Sequence, residues 1–151
     1  MIGHLRGTLL SKKPYQILLD VNGVGYEVRV PYSTSQLPGQ GKELSLVIHT
    51  HVREDALALY GFLRADEKRL FERLIAVSGI GPKLAITILS GMPTEQMVAA
   101  IRGNDAALLT RIPGIGRKTA ERMVLELRDK LESFGAAPAT TATTPDRKSV
   151  V

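Results

Sequence analysis

The sequence predicts an α+β protein in which a small β-barrel comes first, an all-α domain follows, and a disordered linker ends the chain. Three observations support this order. Short apolar runs separated by turn residues fill residues 1–63. After residue 63 the apolar period changes from two to about 3.6 residues, which is typical of helices. From Gly135 onwards the composition is dominated by Ala, Pro and Thr.

Five strands are predicted in the first region, and together they fit a closed barrel. Asn22-Gly23 is a strong signal for a two-residue hairpin between the second and third strands. The fourth strand alternates apolar and polar positions, as a half-exposed strand does. A single flat sheet of this size would leave its edges open and bury too little apolar area. The predicted strands are 2–10, 15–21, 24–30, 43–53 and 56–62.

Five helices are predicted after the barrel. Pro82 fits the first turn of the second helix, Gly91 is expected to end it, and Asn104 is expected to be the N-cap of the fourth. The fifth helix carries an apolar stripe that we expect to pack in the core of its own domain: Ala120, Val124, Leu127 and Leu131. The predicted helices are 66–77, 82–89, 93–101, 105–111 and 117–134.

These patterns divide the chain into a barrel domain (1–63), a helical domain (64–134) and a flexible linker (135–151). The last segment has too few apolar side chains to offset the entropy that it would lose on ordering.

The charge distribution points to a polyanionic partner. The formal net charge is +5 and the sequence pI is about 9.7. Residues 64–134 carry 12 Lys and Arg against 9 Asp and Glu, whereas residues 1–63 carry 6 against 5. A basic excess in the helical region favours nucleic acid over a small acidic molecule.

The absence of cysteine excludes disulfides, thiolate metal sites and a cysteine nucleophile. His49 and His51 lie two residues apart on one strand, but their spacing is loose and no second cluster supports a metal site. We therefore expect no metal and no cofactor. The N-terminus lacks an apolar core of signal-peptide length, and no window approaches a membrane span. A cytoplasmic protein is expected.

Two segments of the helical region nearly repeat each other, and they are the main evidence for function. Residues 77–85 read VSGIGPKLA, and residues 112–120 read IPGIGRKTA. In each, an apolar residue precedes a Gly-Ile-Gly turn, and a cation and an alanine follow at matching positions. The offset is 35 residues (114 − 79).

The chemistry of each turn suits a phosphate group. Glycines can take positive φ and leave backbone N–H groups uncovered by a Cβ, and the helix that follows directs its free N–H groups to the same place. Lys83, Arg117 and Lys118 add full charge, while Ile80 and Ile115 can turn inward. Tight helix connections that bind nothing are the alternative, but a matched pair favours binding. Neither turn has the ending of a nucleotide-binding P-loop.

Two further features are less specific. Glu54-Asp55 stands at the predicted tip of the last hairpin, where carboxylates would repel a nearby phosphate; solvated turn residues are the alternative. Tyr15, Tyr26 and Tyr32 could stack on single-stranded bases. With 5% aromatic residues and no Trp, packing in the core or on the surface is favoured for these tyrosines.

The order of these motifs resembles the RuvA family, the Holliday-junction-binding subunits of the bacterial RuvAB branch migration complex. The resemblance runs from residue 1 to about residue 134. It rests on residues 1–7 (MIGHLRG), 23–28 (GVGYEV), 52–55 (VRED), 59–62 (LYGF) and both Gly-Ile-Gly turns.

The resemblance implies an OB-like barrel followed by a tandem helix-hairpin-helix domain. It also implies a homotetramer, or an octamer of two tetramers, that holds a four-way junction open and planar during DNA recombination and repair. Glu54 and Asp55 match an acidic pin at the junction centre. The residues expected to contact DNA are Gly79, Gly81 and Lys83 in the first turn and Gly114, Gly116, Arg117, Lys118 and Thr119 in the second.

The resemblance also implies a third domain that docks on the RuvB ATPase, and we expect none of the given residues to form it. The resemblance implies a non-catalytic subunit. A repair nuclease or glycosylase that uses Glu54 and Asp55, and a single-strand binder that uses the barrel, remain as alternatives.

Overall fold

The computed structural model describes residues 1–131, which begin with a five-stranded closed barrel. The order around the barrel is β1-β2-β3-β5-β4, and all neighbours are antiparallel except β3 and β5. This order is that of an OB-type barrel and confirms the predicted fold class. The strands are β1 His4–Lys13, β2 Gln16–Val21, β3 Val24–Arg29, β4 Glu43–Arg53 and β5 Ala56–Phe62.

The predicted strands differ from these by three residues at most, and β4 and β5 agree at both ends. A short 3₁₀ helix, Thr34–Gln36, lies between β3 and β4 and was not predicted.

Two glycines allow the strands to approach closely. A Cβ on Gly7 would collide with the backbone carbonyl of Asp20, and one on Gly61 would lie 2.7 Å from Cγ1 of Val28. The barrel therefore closes only with small residues at these two places.

The helical part contains α1 Ala65–Ile75, α2 Pro82–Gly91, α3 Thr94–Arg102, α4 Ala106–Leu109 and α5 Arg117–Leu127. The first three lie within two residues of their predicted bounds, and α2 ends at Gly91 as expected. Helix α5 ends at Leu127, earlier than predicted, and residues 128–131 form turns. Its apolar stripe is buried. The linker predicted for residues 135–151 lies outside the described residues.

The predicted N-cap of α4 is wrong. Asn104 has φ +59 and therefore cannot adopt the extended conformation of an N-cap. It occupies the left-handed position that often follows a helix C-terminus, here that of α3. The cap is Asp105, whose carboxylate accepts a hydrogen bond from the amide of Leu108 at 3.1 Å. Helix α4 therefore begins one residue later than predicted, and it also ends two residues earlier, at Leu109.

Helix α1 joins the barrel to the other helices. The ring of Phe71 packs at 5.1 Å from Tyr60 and 5.0 Å from Phe62, so β5 contributes to the helical core. Nδ1 of His49 lies 2.8 Å from Oε2 of Glu72. These contacts fix the helices, and hence both glycine turns, relative to the β4–β5 hairpin.

Among residues 1–131 no single helix could cross a membrane, although α2 and α3 reach the required length as a pair bent by 101°.

The Tyr32 hydroxyl connects the barrel to the start of α1. It donates a hydrogen bond to Oε1 of Glu67 at 2.5 Å and accepts one from the amide of Leu63 at 2.7 Å. Burial, reinforced by the bond to Glu67, raises the pKa of Tyr32. The hydroxyl therefore remains protonated and can serve as a permanent donor to Glu67.

Replacing Tyr32 with Phe is expected to lower the free energy of unfolding by about 1 kcal/mol, because Glu67 and the Leu63 amide each lose a partner. Urea denaturation measures the change. Tyr26→Phe is the matched control, since Tyr26 is half-buried and its hydroxyl makes no hydrogen bond within residues 1–131. Equal stability of Tyr32→Phe and Tyr26→Phe would contradict a stabilising role for the two hydrogen bonds of the Tyr32 hydroxyl.

Candidate nucleic-acid interface

The two glycine turns have the same geometry. Each first glycine has positive φ, +91° at Gly79 and +89° at Gly114. Each second glycine is the N-cap of the following helix in an extended conformation, with φ −94° at Gly81 and −88° at Gly116. The expectation of positive φ is therefore confirmed for the first glycine and wrong for the second.

The isoleucine between the glycines anchors each turn. Ile80 and Ile115 are 4% and 5% exposed and pack in the helical core. Their amides donate to the carbonyls of Val77 and Ile112 at 3.1 and 3.0 Å. The expected inward orientation of both side chains is confirmed, and the buried isoleucines hold the polar backbone of each turn at the surface.

Nothing in the described structure requires glycine at 81 or 116. Any residue adopts their backbone conformation, and a Cβ built at either position meets no atom within 4 Å. Within residues 1–131 the amides of Gly81, Lys83, Gly116 and Lys118 donate no hydrogen bond to the chain. Each helix thus begins with bare N–H groups and open space before them, which is the arrangement that binds anions.

The predicted cations surround these N-termini. Lys83, Arg117 and Lys118 are exposed, and Thr119 is half-buried. Nε of Arg117 lies 3.3 Å from Oε2 of Glu121, but both side chains are more than half exposed, so this pair contributes little to stability. The guanidinium remains available to a ligand.

Arg122 is a further cation at the first turn, and sequence reasoning missed it. Its Nη1 donates to the carbonyl of Ser78 at 3.1 Å and would lie 3.4 Å from a Cβ on Gly79. The repeat gave no signal for it, because the 35-residue offset relates Arg122 to Thr87, which carries no charge. Neither local pattern shows that α5 crosses to the first turn.

A groove of about 520 Å³ connects the first turn to the barrel. Gly81, Pro82 and Lys83 line one side of it. The barrel contributes two cations, Arg29 and Arg53, neither of which the sequence analysis assigned to a DNA contact. The groove therefore extends the basic surface from the first turn towards the β4–β5 hairpin.

The two histidines of β4 do not form a shared site. Nδ1 of His49 is bonded to Glu72, whereas Nε2 of His51 is buried without a partner. Burial, followed by the charges of Arg53 and His49, lowers the pKa of His51 and favours its neutral form. In the described part of the chain, no three His, Asp or Glu side chains are grouped as metal ligands.

Glu54 and Asp55 form the exposed tip of the β4–β5 hairpin, next to the paired residues Arg53 and Ala56. Neither carboxylate makes an ion pair within residues 1–131. Two unneutralised charges therefore project from one end of the barrel, close to the basic groove.

The three tyrosines that we considered as stacking platforms have different environments. Tyr32 is buried and Tyr26 packs half-buried against the barrel core, as the packing alternative predicted. Tyr15 is 45% exposed, at the tip of the β1–β2 hairpin.

An OB-type barrel joined to two helix-hairpin-helix turns with bare, cationic N-termini defines a DNA-binding protein. Residues 1–61 match the model of the RuvA N terminal domain, and residues 71–129 match that of the SAM-like helix-hairpin-helix tandem. The chain belongs to the RuvA family.

Three relatives illustrate the similarity, each named Holliday junction branch migration complex subunit RuvA. The protein of Acidobacterium capsulatum is 60% identical over 141 residues, which cover 92% of this chain and 71% of the relative. Those of Solibacter usitatus and Stutzerimonas stutzeri are 53% and 46% identical, and the matches cover all of this chain and 79% and 77% of the relatives.

Proposed function

We propose that this protein binds four-way junction DNA through the phosphates of its arms, independently of base sequence. The observation that carries the proposal is the pair of second glycines, Gly81 and Gly116, whose backbone conformation and surroundings would accept a side chain. Glycine there serves an external ligand that must approach the amides closely. The names of its RuvA relatives, subunits of a Holliday junction branch migration complex, support junction DNA as that ligand.

The duplicated turn suits a duplex with two backbones. We infer that the first turn holds one strand of an arm through Gly79, Gly81 and Lys83, and that the second holds the other strand. The second set comprises Gly114, Gly116, Arg117, Lys118 and Thr119. Amide and cation contacts to phosphate carry no base information, so the arm can slide.

Glu54 and Asp55 act as the acidic pin in this proposal. Because both are exposed and unpaired, they repel phosphates at the junction centre and direct the strands into new arms. Arg29 and Arg53 line the path from the pin to the first turn. Attraction along the groove and repulsion at the tip together keep the centre of the junction open.

Selectivity for a crossover then comes from assembly. One chain holds one arm, and four chains in a homotetramer hold four. The role is non-catalytic, and the RuvB motor would supply the work of branch migration to the assembled complex.

The test is a titration of fluorescent DNA at two salt concentrations. Tighter binding to a four-way junction than to a linear duplex of the same sequences is expected, with affinity falling steeply as salt increases. Native mass measurement of the complex reports the number of subunits. Equal affinity for the two DNAs would contradict junction recognition, and Mg²⁺-dependent incision of the junction would favour the nuclease alternative.

A further inference from the structure

A second groove lies beside the second turn and has no part in the proposal above. Its volume is about 340 Å³. The barrel lines it with Tyr15, and the helical part lines it with Ile86, Thr87, Ser90, Gly91 and Pro113. It thus lies between the tip of the β1–β2 hairpin, the C-terminal half of α2 and the residue before Gly114.

The backbone of Tyr15 is strained. Its φ is +66°, a left-handed conformation that a bulky residue rarely adopts and that glycine adopts at no steric cost. Hydrogen bonds of 3.1 Å from its amide to the carbonyl of Tyr32 and from the amide of Val30 to its own carbonyl hold it there. Glycine would fit this turn better, so the backbone conformation gives no reason for a tyrosine at position 15.

The Tyr15 side chain is available to a ligand. It is 45% exposed, and its hydroxyl makes no hydrogen bond within the described residues. The other hydroxyls of the groove donate to backbone carbonyls, Thr87 to Lys83 at 3.2 Å and Ser90 to Thr87 at 2.8 Å. Among the described residues that line this groove, Tyr15 therefore has the hydroxyl that is free to donate a hydrogen bond to a ligand.

The repeat relates this groove to the contact that Arg122 makes beside the first turn. An offset of 35 residues relates Thr87 to Arg122 and Pro113 to Ser78. Arg122 contacts Ser78 beside the first turn, so Thr87 and Pro113 occupy the corresponding place beside the second. Where the first turn has a guanidinium, the second has a threonine too short to reach beyond the helix. The barrel supplies Tyr15 at this point.

We propose that Tyr15 contacts the sugar-phosphate backbone of the strand held by the second turn. The ring packs against a deoxyribose over the apolar surface of Ile86 and Pro113, and the hydroxyl donates to a phosphate oxygen. Tyr15 thus serves the second strand as Arg122 serves the first. The inference rests on the proposed function, because it requires DNA at the second turn.

Tyr15→Gly separates a ligand contact from a structural one. The substitution relieves the left-handed strain, so we expect an equal or higher melting temperature. Loss of the hydrogen bond and the ring contact is expected to weaken junction binding about five- to tenfold at fixed salt. Tyr15→Phe keeps the ring and is expected to recover part of this loss.

Asn104→Gly is the matched control, since Asn104 also has positive φ and lines neither groove. We expect it to bind the junction as the wild type does. Wild-type affinity in Tyr15→Gly would overturn the inference. So would a lower melting temperature or a changed native mass without DNA, because either would make Tyr15 a packing or subunit contact. A wild-type protein without junction preference would instead overturn the proposed function and this inference together.

Discussion

Serine at both second glycines, Gly81→Ser with Gly116→Ser, is expected to weaken junction binding by at least about a hundredfold and to leave the fold as stable as before. Serine is among the best N-cap residues, and its hydroxyl would accept a hydrogen bond from the bare N–H groups of α2 and α5. Its Cβ meets no protein atom within 4 Å. The same atoms occupy the space that a phosphate needs.

The magnitude follows from what each turn would lose. A hydrogen bond to a charged group contributes about 1.5–3 kcal/mol, so each blocked turn costs roughly ten- to hundredfold in affinity. Fluorescence anisotropy with a labelled junction measures the loss, and thermal denaturation measures stability. The single variants also test the model of one strand per turn, because each should retain partial affinity.

Gly3→Ser is the control for this pair. Gly3 has open space around its Cβ position and no positive φ, and its carbonyl accepts a hydrogen bond from the amide of Ile48 in β4, so it belongs to the barrel and to neither turn. It should bind the junction normally. If the double variant also bound normally with its stability intact, the turns would be helix connections without a ligand.

The sequence predicted the architecture well because its signals are local. The alternation of apolar and polar residues, together with the Glu54-Asp55 tip, predicted both ends of β4 and β5. The change of the apolar period from two to about 3.6 residues predicted where the helices begin. The matched glycine turns predicted the position of both candidate phosphate sites. The Asn104 error arose because asparagine favours both an N-cap and a left-handed helix end, and only the neighbouring chain decides between them.

The sequence could not predict contacts that form over long separations. Arg122 reaches Ser78 across 44 residues, and Arg29 reaches the first groove through the pairing of β3 with β5. Tyr15 meets α2 for the same reason. The turns themselves were visible in the sequence, but the side chains that lie beside them come from other elements.

Neutralising the acidic tip, Glu54→Gln with Asp55→Asn, is expected to strengthen junction binding by about thirtyfold at low salt. Exposed charge interactions contribute about 0.2–1 kcal/mol each, and the four subunits of the proposed homotetramer, at about 0.5 kcal/mol per subunit, give about 2 kcal/mol. Both residues are exposed and unpaired, so stability should not change. The gain should shrink as salt screens the repulsion.

A general rise in charge must be separated from an effect of the tip. Glu43→Gln with Asp129→Asn raises the formal net charge from +5 to +7, as the tip variant does, but removes carboxylates elsewhere. Only the tip variant should gain affinity for the junction beyond its gain for a linear duplex, because only a crossover brings backbones to the centre of the assembly. Equal gains in the two variants would make Glu54 and Asp55 ordinary solvated turn residues.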